Sequence, residues 1–288
     1  MNPVVAIIAA GNMGAAVAKR LTGHGVRVLT SLIGRSTETA ERASAAGMTA
    51  VTDEELAAAD FILSIVPPGD SLSLAQRFVP ALTASNSKPV FVDCNAVNPV
   101  TVERIAATIA PTSSPFLDCG IIGPPPSPGE PGPRFYASGA AAARFGSLRD
   151  YGLDVRILHG PLSAASALKM SYAGITKGTQ AVGAAMLLAA TRAGTAEALF
   201  AELSESQAGM LAWLKRSLSR MPPKAYRWVA EMEEIADFVG DDPAARALYT
   251  GTANFYEQIA NDFSGEKNDV AALAAFLSKE AKTPEPSS

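Results

Sequence analysis

The stretch that decides the fold is the apolar run Val4-Val5-Ala6-Ile7-Ile8-Ala9-Ala10, followed directly by Gly11-Asn12-Met13-Gly14 and an alanine-rich segment. This order predicts a strand that enters a helix through a tight turn of small residues. There the backbone can approach a pyrophosphate, whose charge the free N–H groups of the helix N-terminus stabilise. Ala9 replaces the first glycine of the G-x-G-x-x-G pattern, and glycines hold the other two places. The residues expected to contact a dinucleotide are Ala10, Gly11, Asn12, Met13 and Gly14.

The end of the second predicted strand, residues 26–33, indicates which dinucleotide is bound. NAD enzymes carry Asp or Glu there for the ribose hydroxyls, whereas an Arg accommodates the 2′-phosphate of NADP. This chain has Gly34-Arg35-Ser36-Thr37, with no acid before Glu38. The Arg35 guanidinium offers a fork of donors to a dianion, and the hydroxyls of Ser36 and Thr37 add to it. The sequence therefore predicts NADP(H); the alternative is a solvated arginine in a surface loop.

Composition argues against several classes of function. The 288 residues are 48% hydrophobic, which is enough for two domains with a substantial core. The net charge is −4 and no basic stripe occurs, so we expect no nucleic-acid partner. The apolar runs are too short for a membrane span, and the N-terminal run has no basic leader of the kind found in signal peptides. These features predict a cytoplasmic protein.

Residues that could build a metal or nucleophile site are few. The chain has two cysteines, Cys94 and Cys119, and two histidines, His24 and His159. They are too few for a disulfide framework, a His-based zinc site or a convincing Ser-His-Asp set. We therefore expect no metal, and we expect a cofactor to supply the chemistry.

Strand and helix signals alternate as far as about residue 160. Further β-rich runs cover residues 60–66, 89–93, 116–118, 134–138 and 154–158. This alternation predicts an α/β domain over residues 1–161, with a Rossmann-like, doubly wound and largely parallel sheet that binds NADP(H).

Residues that follow these strands are candidates for the cofactor site, because ligands bind outside the carboxyl ends of such strands. The residues expected beside the nicotinamide are Val66, Pro67, Pro68 and Asn95. Prolines that only stiffen a loop are the alternative for Pro67 and Pro68. The proline-rich residues 124–133 predict an extended loop near the mouth of the site.

Strand signals end before residue 162. Residues 162–191 predict one long helix that bridges two domains, and residues 196–219, 225–239, 243–265 and 268–281 also have helical spacing of apolar residues. We expect an all-α domain for substrate binding and dimerisation over residues 162–282, then a disordered tail at residues 283–288. Because this helical domain is small, we expect a second copy to cover it, which predicts a homodimer.

These motifs resemble the β-hydroxyacid dehydrogenase superfamily, which also holds 6-phosphogluconate dehydrogenase and the imine reductases. The stretches that carry the resemblance are Gly11-Asn12-Met13-Gly14 (G-x-M-G), Gly34-Arg35-Ser36 (N-R-[ST]), Val66-Pro67-Pro68 (L-P) and Asp93-Cys94-Asn95-Ala96-Val97-Asn98-Pro99 (D-x-S-T-x-x-P). The resemblance implies that Lys169 is the catalytic lysine and that Lys267 lies near the cofactor. It also implies an intertwined dimer with the site between subunits. Residues 227–236 resemble a less characterised branch.

Lys169 also suits this role chemically. An amine in a partly dry cleft has its pKa lowered by desolvation and can exchange protons with a carbonyl or alcohol near neutrality. Tyr172 or a water molecule is an alternative proton donor. Lys177 lies on the same predicted helix, and an ordinary surface lysine is the alternative for Lys169.

The substrate pocket departs from the hydroxy-acid pattern of the superfamily. The places that hold a carboxylate there carry Asn95-Ala96, Ile122-Gly123-Pro124 and Ala173 in this chain. Because a buried carboxylate without donors is costly, these residues favour an apolar substrate. Gly120-Ile121-Ile122-Gly123-Pro124-Pro125 instead resembles the G-I-M-A-x-P turn of imine reductases, in which Asp or Tyr usually replaces the lysine. The residues expected to line the pocket are Ile121, Ile122, Trp213, Tyr226, Trp228 and Met232.

Three functions are therefore open for this chain. The first is an NADPH-dependent reductase of a C=N bond, or of an apolar C=O bond, in a small molecule bound between the two domains. The second is an NADP-dependent hydroxy-acid dehydrogenase with Lys169 as acid/base and an anion site at Lys177, Arg134 or Lys267. The third is an NADPH-binding regulatory protein without turnover.

Overall fold

The computed structural model describes residues 2–127 and 129–280. The chain divides into two compact units, Met1–Met170 and Ser171–Ser288. The sequence predicts a domain boundary earlier, after residue 161. The tail predicted at residues 283–288 lies outside the described residues.

The first unit contains a sheet of eight strands. They are β1 (Val4–Ile8), β2 (Arg27–Thr30), β3 (Thr49–Ala50), β4 (Phe61–Ser64), β5 (Val90–Asp93), β6 (Phe116–Ile122), β7 (Arg134–Ser138) and β8 (Asp154–Ile157). Their order in the sheet is β3-β2-β1-β4-β5-β6-β7-β8. All neighbours pair in parallel except β6 and β7, which are antiparallel. The predicted doubly wound, largely parallel sheet is confirmed.

Helices follow most of these strands. They are α1 (Asn12–Gly23), α2 (Thr37–Ala45), α3 (Asp53–Leu56), α4 (Ser71–Ala84), α5 (Pro99–Ile109) and α6 (Ala142–Phe145). The central strands are buried on both faces, because Val5 and Ile7 of β1 belong to one core cluster while Ala6 and Ile8 belong to another. A strand covered on both sides needs a continuous apolar run, which explains why residues 4–10 carry no alternating polar positions.

Strand β6 is longer than the sequence predicts. The prediction ended it at residue 118, but it continues to Ile122 because Asp118 to Ile122 pair with β7 from Ser138 back to Arg134. This extension brings Ile121 and Ile122 into the sheet at its carboxyl edge. Strand β3 was not predicted, since it has only two residues and both are exposed.

The proline-rich connection between β6 and β7 is fastened to α1 by one side chain. The Arg20 guanidinium donates to the backbone oxygens of Ser127 (3.1 Å), Glu130 (2.8 Å) and Pro131 (3.2 Å). Within residues 124–127 and 129–133 there is no helix or strand, as the prolines predict.

The second unit is helical throughout its described residues. The long helix α7 (Ala164–Arg192), which begins within the first unit, is followed by α8 (Ala196–Ser206), α9 (Ala208–Leu218), α10 (Ala225–Phe238), α11 (Pro243–Ser264) and α12 (Asn268–Leu277). The predicted long helix and the all-α C-terminal region are confirmed. Residues 196–219, which have helical spacing of apolar residues, form two helices, because Gln207 leaves the helical conformation (φ −139°, ψ 42°) and separates α8 from α9.

Among the described helices, none combines the length and the apolar character that a membrane span requires.

Candidate active site

The turn between β1 and α1 is built for close approach of the backbone. A Cβ at Gly14 would overlap the carbonyl oxygen of Ala9, so only glycine lets α1 pack this tightly on the end of β1. A Cβ at Gly11 would instead meet no atom within 4 Å. The backbone at Gly11 is therefore open to a ligand.

The N-terminus of α1 has no side-chain cap. Gly11 occupies the N-cap position, and the first turn carries no acidic residue. The first-turn N–H groups of a helix lack intrahelical partners, and together with the helix dipole they attract an anion. An open glycine beside such a terminus fits the pyrophosphate of a dinucleotide. Of the predicted residues, Gly11, Asn12 and Met13 are accessible there, whereas Ala10 and Gly14 are buried.

The tip of β2 presents the residues predicted for the 2′-phosphate. Gly34 has a positive φ of 68°, a conformation that favours glycine and turns the chain at the tip. Arg35, Ser36 and Thr37 are exposed. The Ser36 hydroxyl caps α2 by accepting a hydrogen bond from the backbone N–H of Thr39 (3.3 Å), so it already has one structural role.

Two arginines near this tip were missed by sequence reasoning. Arg42 donates to the backbone oxygen of Ala10 (3.2 Å) and forms an ion pair with Glu38. Arg77 donates to the Ser31 hydroxyl (2.7 Å) and holds both carboxylate oxygens of Asp53. The i,i+4 spacing of Glu38 and Arg42 signals their ion pair, but nothing local signals the bond to Ala10.

Asn95 lies inside the protein and joins two loops. Its Oδ1 accepts from the backbone N–H of Val66 (2.7 Å), and its Nδ2 donates to the Ser64 hydroxyl (2.8 Å) and to Asp93. Asn95 is 2% exposed, so in this structure its amide serves the loops after β4 and β5.

The predicted residues Val66, Pro67 and Pro68 directly follow β4. Pro67 is exposed, while Val66 and Pro68 are half-buried. Pro68 begins a 3-10 turn, Pro68–Asp70, in which the Asp70 N–H donates to the carbonyl oxygen of Pro67 (2.9 Å). They lie at the same edge of the sheet as the dinucleotide turn, since β1 and β4 are parallel neighbours.

Lys169 lies beside the end of β6. Its Nζ donates to the backbone oxygen of Ile121, and its side chain is half-buried. Ile121 and Ile122 are buried, at 6% and 8% exposure. The structure therefore brings together three residues that the sequence assigned separately, the candidate proton donor and two apolar residues predicted to line the pocket.

A buried carboxylate, which sequence reasoning missed, lies four residues before the end of β6. Asp118 accepts hydrogen bonds from the Ser166 backbone N–H and hydroxyl, both at 2.7 Å. Burial raises the pKa of Asp118 to about 6, although the bonds from Ser166 act in the opposite direction. Strand periodicity gave no hint of it, because residue 118 was predicted as the end of a short strand.

The two cysteines are buried and free. Burial, with the Cys119 thiol as a neighbour, raises the pKa of Cys94 well above its ordinary value. Because a buried thiol that stays neutral is unreactive, Cys94 serves as a core residue. In residues 2–127 and 129–280, no three His, Cys, Asp or Glu side chains cluster to hold a metal ion.

The remaining predicted residues belong to the second unit. Tyr172 and Tyr226 are exposed, Trp213 is half-buried on α9, and Met232 is completely buried. Met232 is thus a core residue of this unit. Lys267, at the N-cap of α12, is exposed with its Nζ 5.5 Å from the centre of the Phe263 ring.

Trp228 belongs to a packed cluster within the second unit. Its ring meets that of Tyr256 edge-on at 5.1 Å, and the Lys177 Nζ lies 5.0 Å from its centre. Lys177 also forms an ion pair with Glu231. The charge of Lys177, one of the predicted anion-binding groups, is therefore balanced within the unit.

Two family models match the chain. The model described as the NAD binding domain of 6-phosphogluconate dehydrogenase matches residues 4–145. A model described as a domain of unknown function, DUF1932, matches residues 190–259.

Solved structures of known proteins share the fold. The chain is 29% identical to the conserved protein MTH1747, described as structurally similar to 3-hydroxyacid dehydrogenases (TM-score 0.68; 94% of this chain and 99% of the other covered). It is 19% identical to 3-hydroxyisobutyrate dehydrogenase from Mycobacterium tuberculosis, solved with L-serine (TM-score 0.70; 96% and 99%). It is 20% identical to an imine reductase variant from Myxococcus stipitatus, solved with NAD+ (TM-score 0.58; 96% and 100%).

Proposed function

Because the chain belongs to the β-hydroxyacid dehydrogenase and 6-phosphogluconate dehydrogenase-like superfamily, we propose that it is an NADPH-dependent reductase of a C=N bond or of an apolar C=O bond. Its first unit is an NAD(P)-binding domain. The observation that carries the proposal is the end of β6. There Lys169 lies against Ile121, and the next residues, Ile122, Gly123 and Pro124, offer no side-chain donor to a carboxylate.

The residues around β1 and β2 are suited to hold the cofactor. Open Gly11 and the uncapped first turn of α1 would hold the pyrophosphate, and Arg35, Ser36 and Thr37 would hold a 2′-phosphate. Val66, Pro67 and Pro68 would line the nicotinamide side, with Asn95 fixing the backbone of Val66. Reduced nicotinamide, when bound, supplies a hydride to the electrophilic carbon.

Lys169 is the proposed proton donor. Its ammonium donates to the backbone oxygen of Ile121, and in the proposed reaction it would also donate to the substrate nitrogen or oxygen. A proton delivered to that atom balances the charge left when the carbon accepts hydride. Tyr172, on the same helix three residues later, is the second candidate donor. In the second unit, Trp213, Tyr226 and Trp228 remain candidates for contact with the substrate, whereas Met232 is a buried core residue of that unit.

Following NADPH absorbance with the purified protein tests the proposal. We expect faster oxidation with cyclic imines and ketone-plus-amine pairs than with 2-keto or 3-keto acids. Lys169→Ala should lower turnover by about 100-fold or more, because it removes a positioned proton donor. The exposed Lys224→Ala is the matched control and should leave turnover unchanged.

A hydroxy-acid dehydrogenase is the second candidate. Its support is Lys169 itself, at the place of the superfamily's catalytic lysine, and the shared fold with 3-hydroxyisobutyrate dehydrogenase. Arg134, exposed at the start of β7, and Lys267 are the charged groups that could meet a carboxylate. Turnover with keto acids alone would favour this function. Tight NADPH binding without turnover of either panel would favour a regulatory protein.

A homodimer is the proposed assembly. In the second unit, Tyr172, Ile175, Val182 and Met186 of α7 are each more than half exposed, and with Thr179 they follow the 3-4 spacing of a helix-pairing seam. Leu248 of α11 is more than half exposed and lines the same groove as Ile175, Thr179 and Val182, so it extends this apolar surface. A second copy that presents the same seam would cover it, since a twofold interface matches one surface with itself.

A further inference from the structure

We infer that Asp118 is a positioning residue, which anchors the first turn of α7 to β6 and so sets where the Lys169 ammonium lies. The inference rests on the proposed role of Lys169 as proton donor. It concerns a carboxylate that does not itself meet the substrate.

The anchor consists of two hydrogen bonds to one residue. Asp118 accepts from the backbone N–H of Ser166 and from its hydroxyl, both at 2.7 Å. Asp118 and Ser166 are completely buried. The N–H groups in the first turn of a helix lack intrahelical acceptors, and a carboxylate there also interacts favourably with the helix dipole. Ser166 lies three residues before Lys169 on α7. Holding the backbone of Ser166 in place therefore restricts where Lys169 can lie.

A second anchor lies directly across the sheet. Ser138 of β7 pairs with Asp118 of β6 in the antiparallel register. The Ser138 hydroxyl donates to the backbone oxygen of Leu162 (2.7 Å) and accepts from the backbone N–H of Ala165 (3.0 Å). The start of α7 is therefore held by two adjacent side chains of two paired strands.

Close packing of α7 on β6 fixes the position of Lys169 along the strand. A Cβ on Gly120 would lie 2.8 Å from the backbone oxygen of Ala165 and 3.2 Å from the Cβ of Lys169. Side chains alternate between the faces of a strand, so Asp118, Gly120 and Ile122 lie on one face of β6. On that face, Asp118 holds the start of α7. Gly120, which has no side chain, lets α7 pack against the backbone of β6, and Ile122 ends the strand beside Lys169.

The charges near Asp118 come from several elements. Glu103 of α5 raises the pKa of Asp118 further, and Asp93 of β5 is its register partner. Cys119, the next residue of β6, lowers it through its backbone N–H. Below about pH 6 the carboxyl takes up a proton and becomes a weaker acceptor for Ser166. The anchor is therefore expected to loosen in mild acid.

Kinetics of Asp118 variants test the inference. For Asp118→Ala we expect kcat to fall by about 10-fold to 100-fold, as displacement of a catalytic group by up to about 1 Å does, while the NADPH dissociation constant stays within about twofold. Asp118→Asn imitates the protonated carboxyl and keeps one acceptor. Its kcat should lie between those of wild type and Asp118→Ala, and should lose any step near pH 6 that wild type shows.

A second measurement does not depend on turnover. The rate at which an N-hydroxysuccinimide acetate reagent acetylates Lys169, followed by peptide mass spectrometry, should rise by about threefold or more in Asp118→Ala. The exposed Lys224 serves as internal reference and should react unchanged. A change at Lys169 in a protein that turns over no substrate supports the positioning role while the proposed function fails.

If Asp118→Ala does not fold, the Ser166→Ala variant still tests the inference. It removes the hydroxyl bond but leaves the backbone N–H bond, so the same changes are expected at smaller size. Folded Asp118 and Ser166 variants with wild-type kcat, wild-type pH profile and wild-type acetylation of Lys169 would overturn the inference.

Discussion

The guanidinium of Arg42 donates a hydrogen bond to the backbone oxygen of Ala10, which connects α2 to the turn between β1 and α1. Arg35 is exposed at the β2 tip, where it would meet only the 2′-phosphate. The two arginines therefore differ in what their removal should do. Loss of Arg42 would disturb the turn proposed for any dinucleotide, whereas loss of Arg35 would remove a contact proposed for NADPH alone.

We predict that Arg35→Ala raises the KM for NADPH by about 10-fold, a typical effect of losing one charge-assisted phosphate contact, and leaves the KM for NADH unchanged. Arg42→Ala should raise both KM values by similar factors. Steady-state kinetics with each cofactor measure this, with the exposed Arg27→Ala as control. Equal effects of Arg35→Ala on NADPH and NADH would contradict the assignment of Arg35.

The two glycines of the turn offer a matched pair of substitutions. Gly11→Ala adds a methyl group where no protein atom lies within 4 Å, so we expect an unchanged melting temperature and markedly weaker NADPH binding. Gly14→Ala forces its methyl into the Ala9 carbonyl oxygen, and should also lower the free energy of unfolding by about 1–3 kcal/mol. Thermal denaturation and NADPH titration separate the effects. Tight NADPH binding by Gly11→Ala would argue against a pyrophosphate there.

The buried Asp118 predicts a specific dependence of stability on pH. Its pKa is raised from 3.8 to about 6 in the folded protein, so the folded state binds the proton more tightly than the unfolded state. Its contribution is therefore most favourable below pH 4 and is lost as the pH rises through 6. Between pH 4 and pH 7, the stability of Asp118→Asn relative to wild type should rise by about 2 kcal/mol.

Urea denaturation across this pH range measures the Asp118 effect. The exposed Asp150→Asn is the control, and its stability relative to wild type should change little. A parallel course for wild type and Asp118→Asn would show that the carboxyl is not perturbed as the structure indicates.

The apolar seam on α7 predicts that a charged substitution in it changes the oligomeric state. Ile175→Lys introduces a charge into the seam formed by Tyr172, Ile175, Thr179, Val182 and Met186, and should convert a dimer into a monomer. Light scattering coupled to size-exclusion chromatography gives the mass directly. Met210→Lys, on exposed Met210 of α9, is the control and should leave the mass unchanged. A monomeric wild-type protein would exclude the proposed homodimer.

Much of the fold could be predicted because its signals are local. Residues 4–14 contain a strand, a turn and a helix start in one stretch, and each element leaves its own mark on the sequence. The long helix α7 was equally clear, since its apolar and small residues continue for 29 residues without a strand signal. The break at Gln207 was missed because apolar residues keep a helical spacing on both sides of it.

The parts of the candidate site that escaped prediction depend on contacts between distant residues. Asp118 and Ser166 are 48 residues apart, and Arg42 and Ala10 are 32 apart, so no local pattern connects them. Met232 has the spacing of a helix face, which does not distinguish a pocket from a core. Asn95 has the polarity of a ligand-binding residue, yet the loops around β4 and β5 use its amide groups themselves.

The attachment of Ser127, Glu130 and Pro131 to Arg20 has a thermodynamic consequence. A free connection between β6 and β7 would have to lose its conformational entropy each time a ligand ordered it, which would weaken binding. Here prolines restrict φ at several positions, and one guanidinium holds three carbonyl oxygens before any ligand arrives. Most of that entropy is therefore lost when the first unit folds, and binding at this edge of the sheet would carry little additional ordering cost from this segment.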